Sequence, residues 1–533
     1  MCGIFSYLGN VPSNIERYLN TIQCRGPDKT NFQLHNNVYL GFHRLSINDL
    51  SDNGLQPMNY NNCHLICNGE IYNFRELKEK YNFETKSDSD CEIILHMYNL
   101  VGIKETVQNL DGVFAFILYD KTKNVIYAAR DVIGVRPLFI GHNGNDIVFS
   151  SESKSLTEVC NQVVPFLPGT YKLINLEEDS SILKESLHIP FFDWNINSKY
   201  NVNEETLCSE INSHLTKAVS KRLMSDRPIG CFLSGGLDSS VICSLMANQM
   251  NHKVVTFAIG MSDSNSPDLH YAKIVSDFLN TDHHQVTYTF DEGFAALDDL
   301  IYTLESYDIT TIRASMPQYL LSKYIQENTD IRVLLSGEGP DEHFGGYQYL
   351  KMAPNNDELQ KELMSLTNNL YLYDVLRTDR TTARFGLEVR VPFLDKEFVR
   401  YSLQIPAEYK RSNNRIEKYL IRKAFDNKEK QYLPDEILWR RKNAFSDAVG
   451  YQWVDRLVDK INTIITDEEF NECLKIYKHN PPISKEALYY RKIFEKHYPN
   501  RAQLIPKYWM PNPEWMNEKM TDPSALKLNC FEE

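Results

Sequence analysis

Met1-Cys2 sets a thiol where removal of one methionine would make it the first residue of the chain. A free α-amine titrates near ~8 and a thiol near ~8.5, so one N-terminal cysteine supplies both a nucleophile and its general base, with no separate histidine. Far downstream stands a second constellation, Ser234-Gly235-Gly236-Leu237-Asp238-Ser239-Ser240. Two glycines let backbone N–H groups approach an anion closely, three serines add hydroxyls, and a helix starting there aims its positive end at the same point. This is a phosphate cradle without the lysine of a Walker loop. It suits enzymes that cleave ATP between the α and β phosphates. Asp238 repels phosphate directly but reaches it through Mg²⁺. The plain alternative, a glycine-rich turn before an ordinary helix, fits a bare Ser-Gly-Gly better than all seven residues.

A second glycine loop, Ser336-Gly337-Glu338-Gly339-Pro340-Asp341-Glu342, follows a strand expected over 332–335. If both loops end strands of one parallel sheet, Asp341 shares the Mg²⁺ with Asp238, and Glu338 faces the nucleotide. Otherwise it is a solvated acidic turn.

The elements that must position these residues change character along the chain. Up to about residue 190, short β-like runs dominate. Residues 113–119 and 124–129 read as a hairpin, 136–141 and 146–151 as two more strands, and 90–101 as a helix. The polar, Asn-rich stretch 195–203 has no apolar periodicity and is taken as the boundary between domains 2–190 and 204–533. Beyond it strands and helices alternate. Leu207, Ile211, Leu215, Val219 and Leu223 recur every four residues as an amphipathic helix. A strand at 229–233, the serine–glycine loop, a helix at 239–248, a strand at 254–259, a helix at 268–279 and strands at 285–290 and 332–335 follow. Such alternation predicts a doubly wound parallel sheet with ligands at the carboxyl ends of its strands. Past residue 350 the chain reads as helical. The fold class is α/β and multidomain.

A length of 533 residues calls for at least two cores. No apolar run nears the ~18 residues of a membrane span, and the start lacks a signal-peptide pattern, so a soluble protein without a membrane partner is expected. Eleven scattered cysteines, an odd number, do not make a disulfide framework and suit a reducing cytosol. A net charge of −14 argues against a nucleic-acid partner.

Met1-Cys2-Gly3-Ile4-Phe5, Arg25-Gly26-Pro27-Asp28, His43-Arg44-Leu45-Ser46-Ile47, Asn68-Gly69-Glu70-Ile71-Tyr72-Asn73 and Ser89-Asp90-Cys91-Glu92 resemble the class II glutamine amidotransferases. The remainder resembles the glutamine-hydrolysing asparagine synthetases, through 234–240, Phe257 to Gly260, Ser266 to Leu269, Tyr307 to Ser315, Val389 to Asp395, Trp439-Arg440-Arg441-Lys442 and Asp522-Pro523-Ser524. The resemblance implies an N-terminal-nucleophile αββα sandwich followed by a pyrophosphatase-loop domain. It implies that glutamine, aspartate and ATP with Mg²⁺ are the substrates and that β-aspartyl-AMP is the intermediate. Cys2 would attack the glutamine amide, with Asn68 and Gly69 forming the oxyanion hole. Arg44 would clamp the α-carboxylate and Asp90, aided by Glu70, the α-ammonium, with Leu45 and Ile47 lining that site. Leu233, Ile259, Ser336 and Gly337 would contact adenosine. Residues 234–240 would hold the phosphates and Asp238 and Asp341 the Mg²⁺. Thr311 and Arg313 would meet aspartate or the acyl-adenylate, Glu338 would deprotonate ammonia, and Lys442 would neutralise phosphate charge. Taken singly, Arg44, Asp90 and Lys442 read as solvated charges and Asn68-Gly69 as a tight turn. A channel must join the sites, since free ammonia would be protonated and lost. A homodimer is left open.

Cys63-His64-Leu65-Ile66-Cys67 is read as core strand rather than half a metal site, and His283-His284 as a loop-edge pair. A tRNA-thiolating enzyme shares 234–240 but calls for a basic face. A β-lactam-forming synthetase typically lacks the nucleophile, an aminosugar-forming amidotransferase lacks the ATP loop, and a degenerate binding protein would have lost motif residues. Pro340 and His343 depart from the family pattern. Proline at a first helical position needs no N–H, so an active loop is expected.

Overall fold

The computed structural model describes every residue except 177–182, 195–202, 263–265, 413–414, 442–451 and 517–533. Lys442, the motif at 522–524 and nearly all of the Asn-rich stretch therefore lie outside the described residues. The chain forms two compact units, Met1–Trp194 with Met224–Pro228 and Thr382–Glu388, and Asn195–Leu223 with Ile229–Thr381 and Val389–Glu533.

The first unit stacks two antiparallel sheets. A six-stranded one carries Gly3–Leu8 between Asp146–Ser150 and Val38–Arg44, and a seven-stranded one carries Cys63–Ile71 beside Gly112–Asp120. Alternate residues of each strand face the partner sheet. Ile4, Leu8, Leu40 and Phe42 meet Ile66, Ala115, Ile117 and Ile126 in a dry layer. The other face of the second sheet buries Cys67, Phe114 and Phe116 against Ile94, Leu95 and Tyr98 of the helix Ile93–Asn109. The short helix Ile15–Asn20 brings Leu19 against Gly41 of the first sheet, making the αββα sandwich.

The hairpin expected at 113–129 forms as Gly112–Asp120 and Val125–Arg130. Two boundaries differ. The Asp131 carboxylate accepts the backbone N–H groups of Gly134, Val135 and Arg136, so a turn delays the next strand to Phe139–Asn143. Asp90–Glu92 is a 3₁₀ turn, and the α-helix runs Ile93–Asn109 with a break where Gly102 takes φ 76° and ψ 174°. Cys63 and Cys67 lie in the core, while His64 is half-buried against the His35 ring at 4.1 Å.

The second unit opens with the helix Glu204–Lys221, capped by the Asn203 side chain on the N–H of Thr206. Its sheet has the order Asp282–Tyr288, Val255–Met261, Ile229–Phe232, Val333–Leu335, Glu388–Arg390, with the first four strands parallel. From Ile229–Phe232 the chain winds one way to Val255–Met261 and Asp282–Tyr288, then returns to the other side. The switch point falls between Ile229–Phe232 and Val333–Leu335, the strands that precede the two glycine loops. The strand expected at 285–290 instead spans Asp282–Tyr288, because Thr289 caps the next helix in a capping box with Glu292. His283 and His284 are thus strand residues rather than a loop edge, and His283 Nδ1 bonds the Thr256 hydroxyl at 2.9 Å. Among the described residues no helix is long and apolar enough to cross a membrane.

Candidate active sites

In the first unit Cys2 precedes the central strand Gly3–Leu8, and its thiol donates to the Leu45 carbonyl at 3.6 Å. Arg25, fully buried against Glu152 at 2.6 Å, donates from Nε to the Cys2 carbonyl at 3.0 Å. This holds the nucleophile's backbone by a charge-assisted bond, a role its motif carried without our assigning it. With Met1 attached, burial pushes the Cys2 thiol up to about 11 and the Met1 amine down to about 6.

Asn68 lies in the strand Cys63–Ile71, not in a turn, and neither amide atom has a partner among the described residues although it is fully buried. An orphaned buried donor is costly unless a ligand satisfies it, which fits an oxyanion-hole amide. Gly69 lies directly against Phe114, where a Cβ would come within 2.8 Å of the Phe114 side chain.

Arg44 is buried, donating from Nη1 to the Ser51 carbonyl at 2.5 Å and from Nη2 to the Asp49 carbonyl. These bonds use two of a guanidinium's five N–H groups and fix the planar fork in place. Asp90 accepts from Ile71 N at 2.6 Å and from the Asn48 amide at 3.3 Å, and the same amide donates to Glu70 at 2.6 Å. Asn48 therefore ties the two carboxylates together, which the sequence reading did not find. Burial pushes Asp90 up to about 6, with the Ile71 and Asn48 bonds working against it.

In the second unit both glycine loops line one cavity of about 250 Å³. The helix Leu237–Ala247 starts at Gly236 on the heels of the strand Ile229–Phe232. Gly235 has φ +71°, and a Cβ there would come within 2.4 Å of Tyr271 and Ala272 backbone. The two loops touch, since a Cβ on Gly337 would come within 2.5 Å of Ser239 N. Ser234, Ser239 and Asp238 line the cavity on one side and Ser336, Glu338 and Asp341 on the other, with Leu233 and Ile259 also on its wall. Ser240 is buried beneath the loop instead.

Pro340 is the first residue of the helix Pro340–Phe344, as its chemistry suggested, and Gly339 precedes it at φ +110°. His343 is buried between the Phe344 and Phe398 rings, at 5.2 and 5.7 Å, where burial pushes it down to about 3, so it fills an apolar position as a neutral ring.

Glu338 is held by Arg377, whose Nη2 donates to it and to Asp374, each at 2.8 Å, while Nη1 donates to Gln318 at 3.1 Å. Burial pushes the Glu338 carboxyl up, opposed by Arg377 and reinforced by Asp374. Asp238 Oδ2 and Asp341 Oδ1 converge on the ammonium of Lys418, at 2.5 and 2.8 Å. Burial works to lower the Lys418 pKa, but the two carboxylates outweigh it and hold the group protonated. Arg440 lies over the Tyr271 ring at 3.8 Å and donates to the Gly235 carbonyl at 3.2 Å, bracing the phosphate loop.

Thr311 and Arg313 are not brought to this cavity. Asp308 caps the helix Ile309–Asn328 and takes both the N–H and hydroxyl of Thr311, and Arg313 forms a buried two-point pair with Glu486 at 2.8 and 2.5 Å. The cavity is lined instead by Thr310, Ala314, Gln318 and Leu321, one face of that helix. At about 100° per residue Thr311 falls roughly 65° to one side of the centre of that face and Arg313 roughly 95° to the other, so Arg313 points well away and Thr311 sits at the edge, where Asp308 takes its polar groups. The buried Thr310 hydroxyl has no partner among the described residues.

Residues 1–168 match the family model described as a glutamine amidotransferase domain, and residues 210–357 and 348–524 match the model described as asparagine synthase. Over 565 residues the chain is 42% identical to a glutamine-hydrolysing asparagine synthetase of Gallus gallus, covering 100% of this chain and 99% of that one. The chain belongs to the glutamine-hydrolysing asparagine synthetase family. A probable member from Acanthamoeba polyphaga mimivirus is 44% identical over 558 residues, 99% of this chain and 100% of its own. Among solved structures, a glutamine phosphoribosylpyrophosphate amidotransferase from B. subtilis aligns at TM-score 0.31 and 17% identity, over 54% of this chain and 81% of that one. That likeness is too slight to build on.

Proposed function

We propose that the chain makes asparagine from aspartate, glutamine and ATP through β-aspartyl-AMP, releasing glutamate, AMP and pyrophosphate. The observation that carries this reading is one cavity in which a phosphate-binding loop, a paired carboxylate loop and a Glu338–Arg377–Asp374 cluster converge, in a member of this family. At the first site, removal of Met1 frees the Cys2 α-amine to take the thiol proton while the thiol attacks the glutamine amide. The Asn68 amide and Gly69 N–H receive the developing oxyanion. Arg44 binds the α-carboxylate, and Asp90, aligned with Glu70 through Asn48, binds the α-ammonium.

At the second site the loop 234–240 binds the phosphates and the walls at Leu233 and Ile259 receive the adenosine. The Arg377 guanidinium and Asp374 suit the two charges of an α-amino acid, and Thr310 and Gln318 add neutral contacts, replacing the role first given to Thr311 and Arg313. Glu338, its pKa raised by burial, accepts a proton from the attacking ammonia as AMP leaves. The oxygens of Asp238 and Asp341 that meet at one point are a hard donor pair suited to Mg²⁺, which keeps waters and phosphate oxygens as its other ligands. Bound there, Mg²⁺ would neutralise charge on the departing pyrophosphate. A cytosolic location suits the eleven scattered cysteines, an odd number without framework spacing.

The deciding assay supplies ATP, Mg²⁺, glutamine and a panel of amino acids, and follows asparagine, AMP and pyrophosphate. Aspartate alone should support equal amounts of all three. ADP and phosphate, or activity with a different acceptor, would overturn the reading.

A further inference from the structure

The two carboxylates suited to Mg²⁺ already share a cation. Lys418 Nζ stands 2.5 Å from Asp238 Oδ2 and 2.8 Å from Asp341 Oδ1, with its side chain only 1% exposed and each carboxylate about one-fifth exposed. The point that bridges the two loops is therefore filled by an ammonium group, not left to solvent. Lys418 leaves the backbone from a left-handed position, φ 54°, at the cap of the helix Tyr419–Phe425. A residue other than glycine is rare there and strained, so the surrounding structure holds this side-chain origin fixed. The stem beyond it is four carbons long and can swing without the backbone moving.

We propose that Lys418 is the resident counter-cation of the Asp238–Asp341 pair, and that a divalent ion reaches these carboxylates only in company with phosphate, which takes the displaced ammonium over. This rests on the ATP-binding reading of the same loops. Charge carries the argument. Asp238, Asp341 and Lys418 sum to −1, and a divalent ion entering beside Lys418 sets two cations against each other in a poorly solvated space. A divalent ion entering alone must drive a buried ammonium off both its partners, while the other carboxylates of the cavity are already engaged, Glu338 and Asp374 by Arg377 and Glu342 by the Tyr347 hydroxyl, and unpaired buried charge is strongly unfavourable. Phosphate oxygens delivered to Ser234 and Ser239, in the same cavity, supply that receiver. Lys418 then acts as a positioning residue twice. It keeps the two loops in register, and it hands their carboxylates to the metal as it turns to the pyrophosphate. A lysine that serves only as a fixed structural ion pair would do neither.

The test uses the full chain and Mn²⁺ as a paramagnetic probe without nucleotide, reading protein-bound Mn²⁺ by electron paramagnetic resonance after equilibrium dialysis, so that Mn²⁺ held by pyrophosphate in solution is subtracted. Wild type should bind Mn²⁺ poorly alone and well with inorganic pyrophosphate. Lys418→Met should reverse this, binding Mn²⁺ alone at least ~10-fold tighter than wild type but gaining little from pyrophosphate. Mn²⁺ should also raise the melting temperature of that variant. Lys418→Met with Asp238→Asn should lose the new site, which ties it to these carboxylates, and Lys418→Arg, which keeps the bridging charge, should stay like wild type. Wild type and Lys418→Met binding Mn²⁺ alone with equal affinity would overturn the proposal. So would a cooperatively melting Lys418→Met protein with no gain in Mn²⁺ binding. A failure of the asparagine-forming reading shows separately, as no AMP from ATP and aspartate in wild type.

Discussion

Arg377 and Glu338 are joined by a 2.8 Å charge-assisted bond inside the nucleotide cavity, and the same guanidinium nitrogen holds Asp374. One cation thus sets the position of a carboxylate whose pKa burial raises. If Glu338 must be ionised to take a proton from ammonia, synthesis falls as pH drops through that raised pKa. Glu338→Gln should lower the synthetic rate by about 10²–10⁴ with glutamine hydrolysis retained. Arg377→Met removes the group that restrains the shift, so the acid limb of the pH–rate profile should move to higher pH. Equal profiles for Arg377→Met and wild type would show that Glu338 is not the titrating group.

Division of labour between two units gives the second prediction. Cys2→Ala should abolish glutamine hydrolysis and leave asparagine formation from ammonium salts near wild type. A short extension before Cys2, which blocks the α-amine, should reproduce that defect, read as glutamate release in the absence of aspartate.

Asp90 yields a pH dependence with a definite sign. Its folded pKa is raised to about 6 by burial. A raised carboxyl pKa makes the protonated form the comfortable one in the folded unit. The associated stabilisation is therefore full below the ordinary carboxylate pKa and is lost as pH rises through about 6. Glutamine's ammonium needs the ionised form, so KM for glutamine should rise below pH 6, while the KM of ammonium-dependent synthesis, expressed as free NH₃, should not follow it. Asp90→Asn should raise that KM at neutral pH and remove its dependence on acid pH.

The helix Ile309–Asn328 shows what the sequence could and could not say. The alternation of strands and helices, the two glycine loops and the buried hairpin were legible, because period and turn chemistry are local. Cys2, Asn68, Asp90, Glu338 and the Asp238–Asp341 pair were legible through their motifs. The face of a helix near the site was not, since it depends on partners far away in the chain, Glu486 for Arg313 and Asp308 for Thr311. Arg377, Lys418, Asn48 and the hold of Arg25 on Cys2 were missed for the same reason: each acts across 22 or more residues of sequence. Helical period gave no signal for that face: run back seven residues from Gln318 it reaches Thr311, only about 20° off that direction, so the choice of Thr310 rests on the long-range partners alone.

That distinction is measurable. Arg313→Ala leaves Glu486 buried without its cation and should cost about 3–5 kcal/mol of stability, seen as a large fall in melting temperature. Thr310→Val is nearly isosteric, should leave the melting temperature alone, and should raise KM for aspartate several-fold. A wild-type KM in Thr310→Val, with a raised KM in a stably folded Arg313→Lys, would return the substrate role to Arg313.

Pro340 and Gly339 make a paired test of the second loop. Proline stands at the first helical position, where its N–H would have no partner within the helix and its fixed φ suits the turn. Pro340→Ala should therefore leave the rate of AMP formation within a few fold, and a large gain would mean that the proline had damaged the loop. Gly339 has no such latitude. At φ +110° a side chain is strained by the backbone alone, and a Cβ would come within 2.3 Å of Leu394 Cδ2. Relief requires either Leu394 to move or the loop to back away, and the loop carries Glu338 on one side and Asp341 on the other. Gly339→Ala should depress AMP formation far more than it depresses the melting temperature, because the displaced groups are those that meet ATP and aspartate. Near-normal AMP formation in Gly339→Ala would show that Leu394 yields and that the positions of Glu338 and Asp341 do not depend on the left-handed turn.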